Sequence, residues 1–256
     1  MMTNIFDTHA HYDDEQFNED RSALLSSLKN KGVSGVINCA TTPDSARFTI
    51  ELCKKHDFIY AAAGLHPENM DEVCENDLSL IRELAESEKK IVAIGEIGLD
   101  YYWDTSLKDK QLEFFERQII LANELDLPVI VHDREAHADT LALLKKHKPK
   151  GVLHCFSGSV ETAEEILSLG MYIGIGGAVT FKNAKKPVEV VRIVPDDRLL
   201  LETDCPYMSP VPFRGKRNDS SLIAHTAQRI AEIRETDAQH LIDRCTENAK
   251  KLFGIS

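Results

Sequence analysis

The 256-residue chain has no charged-then-apolar leader and no run of about 18 apolar residues, so neither secretion nor membrane spanning is expected, and a cytoplasmic location is the default. It also lacks basic character. Lys and Arg number 30 against 42 Asp and Glu, a net charge of −12, which argues against a broad surface that wraps duplex DNA or coats a membrane. A few phosphates could still be gripped locally. No Cys-x-x-Cys occurs among Cys39, Cys53, Cys74, Cys155, Cys205 and Cys245, which excludes a cysteine zinc knot and argues against a disulfide framework. No low-complexity tract, short repeat or Gly/Ser linker marks a boundary, and the length suits one large core. A dinucleotide fold would need Gly-x-Gly-x-x-Gly after an early strand. The turn after the first apolar run holds His9 and His11 instead, and Gly174-Ile175-Gly176-Gly177 comes late, as a tight strand-to-loop turn.

What is present is alternation. Short apolar runs at 5–8, 35–39, 58–63, 91–94, 128–131, 152–153, 171–175 and 199–201 are separated by amphipathic segments such as 20–31, 43–56, 77–88, 108–126 and 160–169. Eight strand and helix units in this length predict an α/β fold, a single-domain (β/α)8 TIM barrel over residues 1–256, with 236–253 as a C-terminal closing helix. His56, His137, His147, His225 and His240 fall in helical patterns and are set aside.

Active sites of such barrels lie at the carboxyl ends of the strands. Polar residues at the ends of the apolar runs are His9 and His11 after the first, Glu96 after the fourth, His132 after the fifth, His154 after the sixth and Asp204 after the eighth. A lone His-x-His is more often a pair of satisfied histidines than a metal site. Here the four further candidate ligands at the same rim reverse that reading. Four histidines and two carboxylates exceed the needs of one four-coordinate ion, and two divalent ions about 3.5 to 4 Å apart are a recurring device in phosphoester hydrolysis. Glu96 is assigned as the bridge, His9, His11 and Asp204 to one ion, and His132 and His154 to the other, with Glu96 and Asp204 as the catalytic carboxylates. Asp7 and Glu202 are expected to orient these ligands, one layer deeper on the same faces. Cys155 and Cys205, each directly after a ligand, are expected on the opposite strand face in structural roles.

The strings Phe6-Asp7-Thr8-His9-Ala10-His11, Gly64-Leu65-His66-Pro67, Ile94-Gly95-Glu96-Ile97-Gly98-Leu99-Asp100-Tyr101, His132-Asp133-Arg134, His154-Cys155-Phe156-Ser157-Gly158 and Glu202-Thr203-Asp204-Cys205-Pro206-Tyr207 resemble, in order, the motifs of the TatD family of metal-dependent deoxyribonucleases. The resemblance implies a hydrolase of the amidohydrolase superfamily that removes nucleotides from DNA ends, typically 3′ to 5′ and with Mg²⁺, and it implies the same ligand roles. Two departures stand out: the family often has Asp where Glu135 stands, and Glu-Pro where this chain has Asp219-Ser220.

DNA, single-stranded or frayed at its ends, is therefore the expected partner, with no membrane and no obligate protein partner. His66, Arg214, Lys216 and Arg217 are candidate phosphate contacts, and Tyr101, Tyr102 and Trp103 could stack on bases or pack under their loop. Mixed imidazole and carboxylate ligation also admits Zn²⁺, Mn²⁺, Fe²⁺ or Ni²⁺. The competing expectations are an amide, lactone or phosphotriester hydrolase on the same barrel and a non-catalytic metal-binding subunit. Many binuclear relatives use a carboxylated lysine where this chain has Glu96, which favours the phosphodiesterase.

Overall fold

The computed structural model describes residues 2–103 and 105–256. Eight parallel strands, β1 (Ile5–Ala10), β2 (Val33–Cys39), β3 (Ile59–Ala63), β4 (Ile91–Asp100), β5 (Val129–Arg134), β6 (Gly151–Leu153), β7 (Tyr172–Ile175) and β8 (Leu199–Leu201), pair in chain order. The helices are α1 (Arg21–Leu28), α2 (Pro43–Lys55), α3 (Glu75–Ser87), α4 (Lys108–Glu124), α5 (His137–His147), α6 (Val160–Ser168), α7 (Lys185–Ile193), α8 (Ile223–Arg234) and α9 (Ala238–Phe253). The seam between β8 and β1 closes through a parallel bridge, Ala10 to Cys205. Two backbone hydrogen bonds flank it, Asp204 N to His9 O and His11 N to Cys205 O.

Local chemistry explains the elements. β1, β4, β6, β7 and β8 are buried along their whole length, as strands covered on both faces must be, and β6, β7, β8 and the first four residues of β4 read as continuous or near-continuous apolar runs. Thr42 caps α2, which has Pro43 in its first turn, and Ser159 caps α6. Asp237 caps α9 by accepting from the His240 amide, and Gly254 ends that helix at φ 64°. One apolar cluster draws on every strand, through Phe6, Ile37, Ala62, Val92, Ile130, Val152, Tyr172 and Leu200 among others, and α9 joins it with Ala249 and Phe253. The larger cluster lies between the strands and the helical shell.

Two strands depart from the predicted geometry in a way that matters for function. Pairing advances three residues along β1, from Asp7 to Ala10, while β2 advances two, from Val36 to Asn38. The same happens in β4, from Ile94 to Ile97 against Val129 to Val131 of β5. Extra residues of this kind bend a strand and re-aim its side chains. Glu96 accordingly lies inside a long fourth strand and not after a short one, and His132 lies inside β5.

Candidate metal centre

β1, β4, β5 and the turns after β6 and β8 deliver their polar side chains to one point. His9 Nε2 is 3.0 Å from His11 Nε2. Glu96 lies between two groups. Its Oε2 is 3.2 Å from His9 Nε2 and 3.4 Å from His11 Nε2, and its Oε1 is 2.7 Å from His154 Nε2 and 3.0 Å from His132 Nδ1. Asp204 Oδ1 is 3.4 Å from His11 Nε2 and 3.8 Å from His9 Nε2. The ring of His9 stacks on that of His154 with centroids 3.8 Å apart. All six proposed ligands are thus brought together with His66, in three overlapping groups (His9, Glu96 and His154; His9, His11 and Asp204; His66, Glu96 and His132), the ligand atoms of each lying within 4.8 Å of one another.

The partners of the remaining ring nitrogens decide which atoms face inward. His11 Nδ1 is 2.8 Å from the Cys39 carbonyl, which can only accept, so Nδ1 keeps a proton and Nε2, whose lone pair is free once the ring is neutral, faces the cluster. His132 is turned the other way round. Its Nε2 lies 2.9 Å from Asp100 Oδ2, leaving Nδ1 toward Glu96. A carboxylate behind a histidine is the usual support for a metal ligand. Asp100 is itself held at both backbone groups by Gln111 and at Oδ1 by the Tyr102 amide. Asp100 lies within a motif already noted, yet its role rests on a partner in another strand. Donor types, convergence and oriented tautomers together fit divalent cations.

The electrostatics are those of a cluster that holds its ligands charged or ready to be. Burial pushes the Glu96 carboxyl up, but His66, His154, His9 and His132 outweigh it and hold it well below the usual range. Burial lowers His11 and His132, yet Asp204 and Glu96 for the first, and Asp100 and Glu96 for the second, hold each up to about 10. Both imidazoles therefore carry protons at neutral pH that an incoming cation must displace, so affinity rises with pH. His9 is different: burial, with His154 alongside, lowers it to about 4.

The deeper residues act through the backbone more than through the imidazoles. Asp7 does not touch an imidazole. Its Oδ1 accepts from the His9 and Thr203 amides and its Oδ2 from the Thr203 and Ser220 hydroxyls, so it ties the backbone of β1 to the turn after β8. Burial raises it to about 6. Glu202 accepts from the Cys155 amide and stands 3.9 Å from His154 Nδ1, beyond hydrogen-bond range, with its pKa raised to about 8 by burial. Gly174 makes room for it: a Cβ there would lie 2.4 Å from Glu202 Oε2. Cys205 is buried as expected. Cys155 is a correction. β6 ends at Leu153, so alternation no longer applies, and Cys155, at φ 44°, lines the cavity over the centre.

That cavity, of about 680 Å³, is lined among others by His11, His66, Glu96, His132, His154 and Asp204. His66 Nε2 is 3.3 Å from Glu96 Oε1. The predicted basic clamp is not assembled there, since none of Arg214, Lys216 and Arg217 lines the cavity. Arg217 is held by Asp20 at 2.6 and 2.8 Å, and Arg214 lies over the Phe181 ring at 4.4 Å. Lys216 Nζ stands 5.8 Å from the Phe213 ring centre. On an acidic surface, carboxylates and rings claim these cations first.

Comparison with known proteins agrees with the geometry. The family model described as TatD related DNase matches residues 6–254. The uncharacterized metal-dependent hydrolase YabD of Bacillus subtilis is 46% identical over 98% of this chain and all of that protein. The 3′-5′ ssDNA/RNA exonuclease TatD of Erwinia tasmaniensis is 35% identical over 98% of this chain and all of its own length. The crystal structure of the TatD homolog YjjV from Escherichia coli superposes with a TM-score of 0.94 at 33% identity, covering both chains completely. A cluster of imidazoles and carboxylates at the carboxyl rim of a (β/α)8 barrel and a family match over nearly the whole chain lead to one conclusion: this chain belongs to the TatD-related DNase family and is a metal-dependent hydrolase.

Proposed function

We propose that the protein is a phosphodiesterase that removes nucleotides from DNA ends, 3′ to 5′, at a binuclear centre bridged by Glu96. The observation that carries this reading is the placement of the Glu96 carboxylate, with Oε2 toward His9 and His11 and Oε1 toward His132 and His154. His9, His11 and Asp204 would hold one divalent ion and His132 and His154 the other, with Mg²⁺ as the working ion and Zn²⁺, Mn²⁺, Fe²⁺ or Ni²⁺ as alternatives. Bound there, such ions activate water and draw charge off a scissile phosphate.

The chain's own groups do the rest. Asp204 has its side chain 21% exposed, and although burial raises its pKa, His11 and His9 outweigh this and lower it, so it is ionised and open to the cavity to accept a proton from the attacking water. His66 accepts the Glu68 amide at Nδ1, so its Nε2 carries the hydrogen. It serves as a hydrogen-bond donor to a phosphate oxygen. The polarity of digestion follows the name of the Erwinia relative.

Digestion of end-labelled single-stranded DNA by metal-stripped protein, with Mg²⁺, Mn²⁺ or Zn²⁺ restored, tests the reading beside a lactone and phosphotriester panel. A metal-dependent ladder that shortens from the 3′ end and disappears in a folded Glu96→Ala variant is expected. No ladder, with turnover of a panel member, would move the protein to the other chemistry.

A further inference from the structure

We propose that the loops after β4 and β8 form a clamp for unpaired nucleobases, with Trp103 and Arg134 on one side of the cavity mouth and Tyr207 with Met208 on the other. The inference rests on the phosphodiesterase reading and names what that site grips.

Large hydrophobic side chains left exposed are few among the described residues, and most are gathered here. Of the eight, Tyr102 and Trp103 follow β4, and Tyr207, Met208 and Val211 follow β8. Trp103 is 69% exposed and Tyr207 50% exposed, while both line the cavity. A concentration of apolar surface around a polar cavity marks a binding site. The rings are also held in place. Tyr207 donates its hydroxyl to Asp14 at 2.7 Å, which sets the ring and leaves half of it open. Tyr102 and Trp103 meet edge to face at 4.8 Å, and Arg134 lays its guanidinium 3.8 Å from the centre of the Tyr102 ring and 5.3 Å from that of Trp103. Arg134 reaches them from the end of β5, two residues past His132, so the stack stands on the lip of the metal centre.

Charge decides between gripping phosphates and gripping bases. Among the described residues Arg134 is the one Lys or Arg lining the cavity, which Asp13, Asp14, Glu68 and Asp133 line as well as the ligands. Away from the ions, a mouth so acidic repels a sugar-phosphate chain unless an uncharged contact compensates. Stacking on the aromatic rings is that contact, with the Arg134 plane beside them, and it tolerates any base because every base has a π-face. Bases paired within a duplex hide those faces, so the clamp selects single strands and frayed ends.

Trp103 is the sole tryptophan of the chain, so intrinsic fluorescence reads this site directly. In EDTA, hexathymidylate should quench it and a hexamer of abasic tetrahydrofuran phosphates should not, with the abasic strand bound at least tenfold more weakly. With metal restored, Trp103→Leu and Tyr207→Leu should each raise KM for hexathymidylate about tenfold, with a smaller change in kcat, and should shrink its advantage over the abasic strand. Equal binding of the two strands, or variants in which the base-bearing strand keeps its full advantage, would overturn the clamp. If both strands are cleaved with equal KM, only the clamp falls. Base-selective quenching with no turnover under any metal would keep the clamp and overturn the phosphodiesterase.

Discussion

At His132 the choice of ring nitrogen is made by Asp100, whose carboxylate holds Nε2 and turns Nδ1 to the cluster. Removing that support should loosen the ligand without unfolding the strand, because the Gln111 amide still bonds the backbone of residue 100. We expect Asp100→Ala to weaken metal binding about 10- to 100-fold by titration calorimetry, with an unchanged circular dichroism spectrum. Affinity within twofold of the parent would make Asp100 a spectator. The six proposed ligands could be picked out from sequence as candidates, and the structure brings them together, because each is a polar residue at the end of an apolar run. Asp100 could not be assigned that way, since its partner lies 32 positions away and β4 runs past the predicted end. Arg217 shows the converse. A basic loop reads locally as a phosphate clamp, but Asp20, 197 positions distant, takes the guanidinium. The departure at Asp219-Ser220 also has a local meaning, for Ser220 donates its hydroxyl to Asp7 and its amide to Tyr12 Oη.

Among the elements, all eight strands lie where the apolar runs predict, and α9 covers the predicted closing segment but for its first two residues, one of which is the capping Asp237. The extra residues in β1 and β4 could not be foreseen, because register belongs to a pair of strands and a single strand's pattern does not contain it. α9 does more than cover the barrel. Asn248 donates to the Asp196 and Leu199 carbonyls at the start of β8, and Thr246 donates to Asn4 just before β1, so one helix joins the amino ends of both seam strands. Asn248→Ala would leave two carbonyls, one of them buried, without this donor. A loss of about 1–3 kcal/mol in urea unfolding is expected, with the metal affinity retained. A loss below about 0.5 kcal/mol would mean that water replaces the amide.

For the molecule as a whole, no helix among the described residues is long and apolar enough to cross a membrane, and the chain's negative charge is carried into the cavity itself. The seam gives this charge a mechanical meaning. Among the described residues β1 and the turn after β8 share one bridge, and the proposed ligands of one ion stand on both sides of it, His9 and His11 on the first strand and its continuation, Asp204 in that turn. Ion binding at a thousand times Kd should add about 4 kcal/mol to stability. Hydrogen exchange should show where: with chelator, the amides of His11 and Asp204, which bond across the seam, should exchange much faster, while those of β5 and β6 change little. Uniform acceleration over the barrel would show that the ion is not a local clasp. A barrel buttoned at its carboxyl end by its own cofactor couples supply to survival. If exchange shows that clasp, a cell starved of the metal would expose the seam of the protein to proteases, and would have to synthesise it anew before the activity returned.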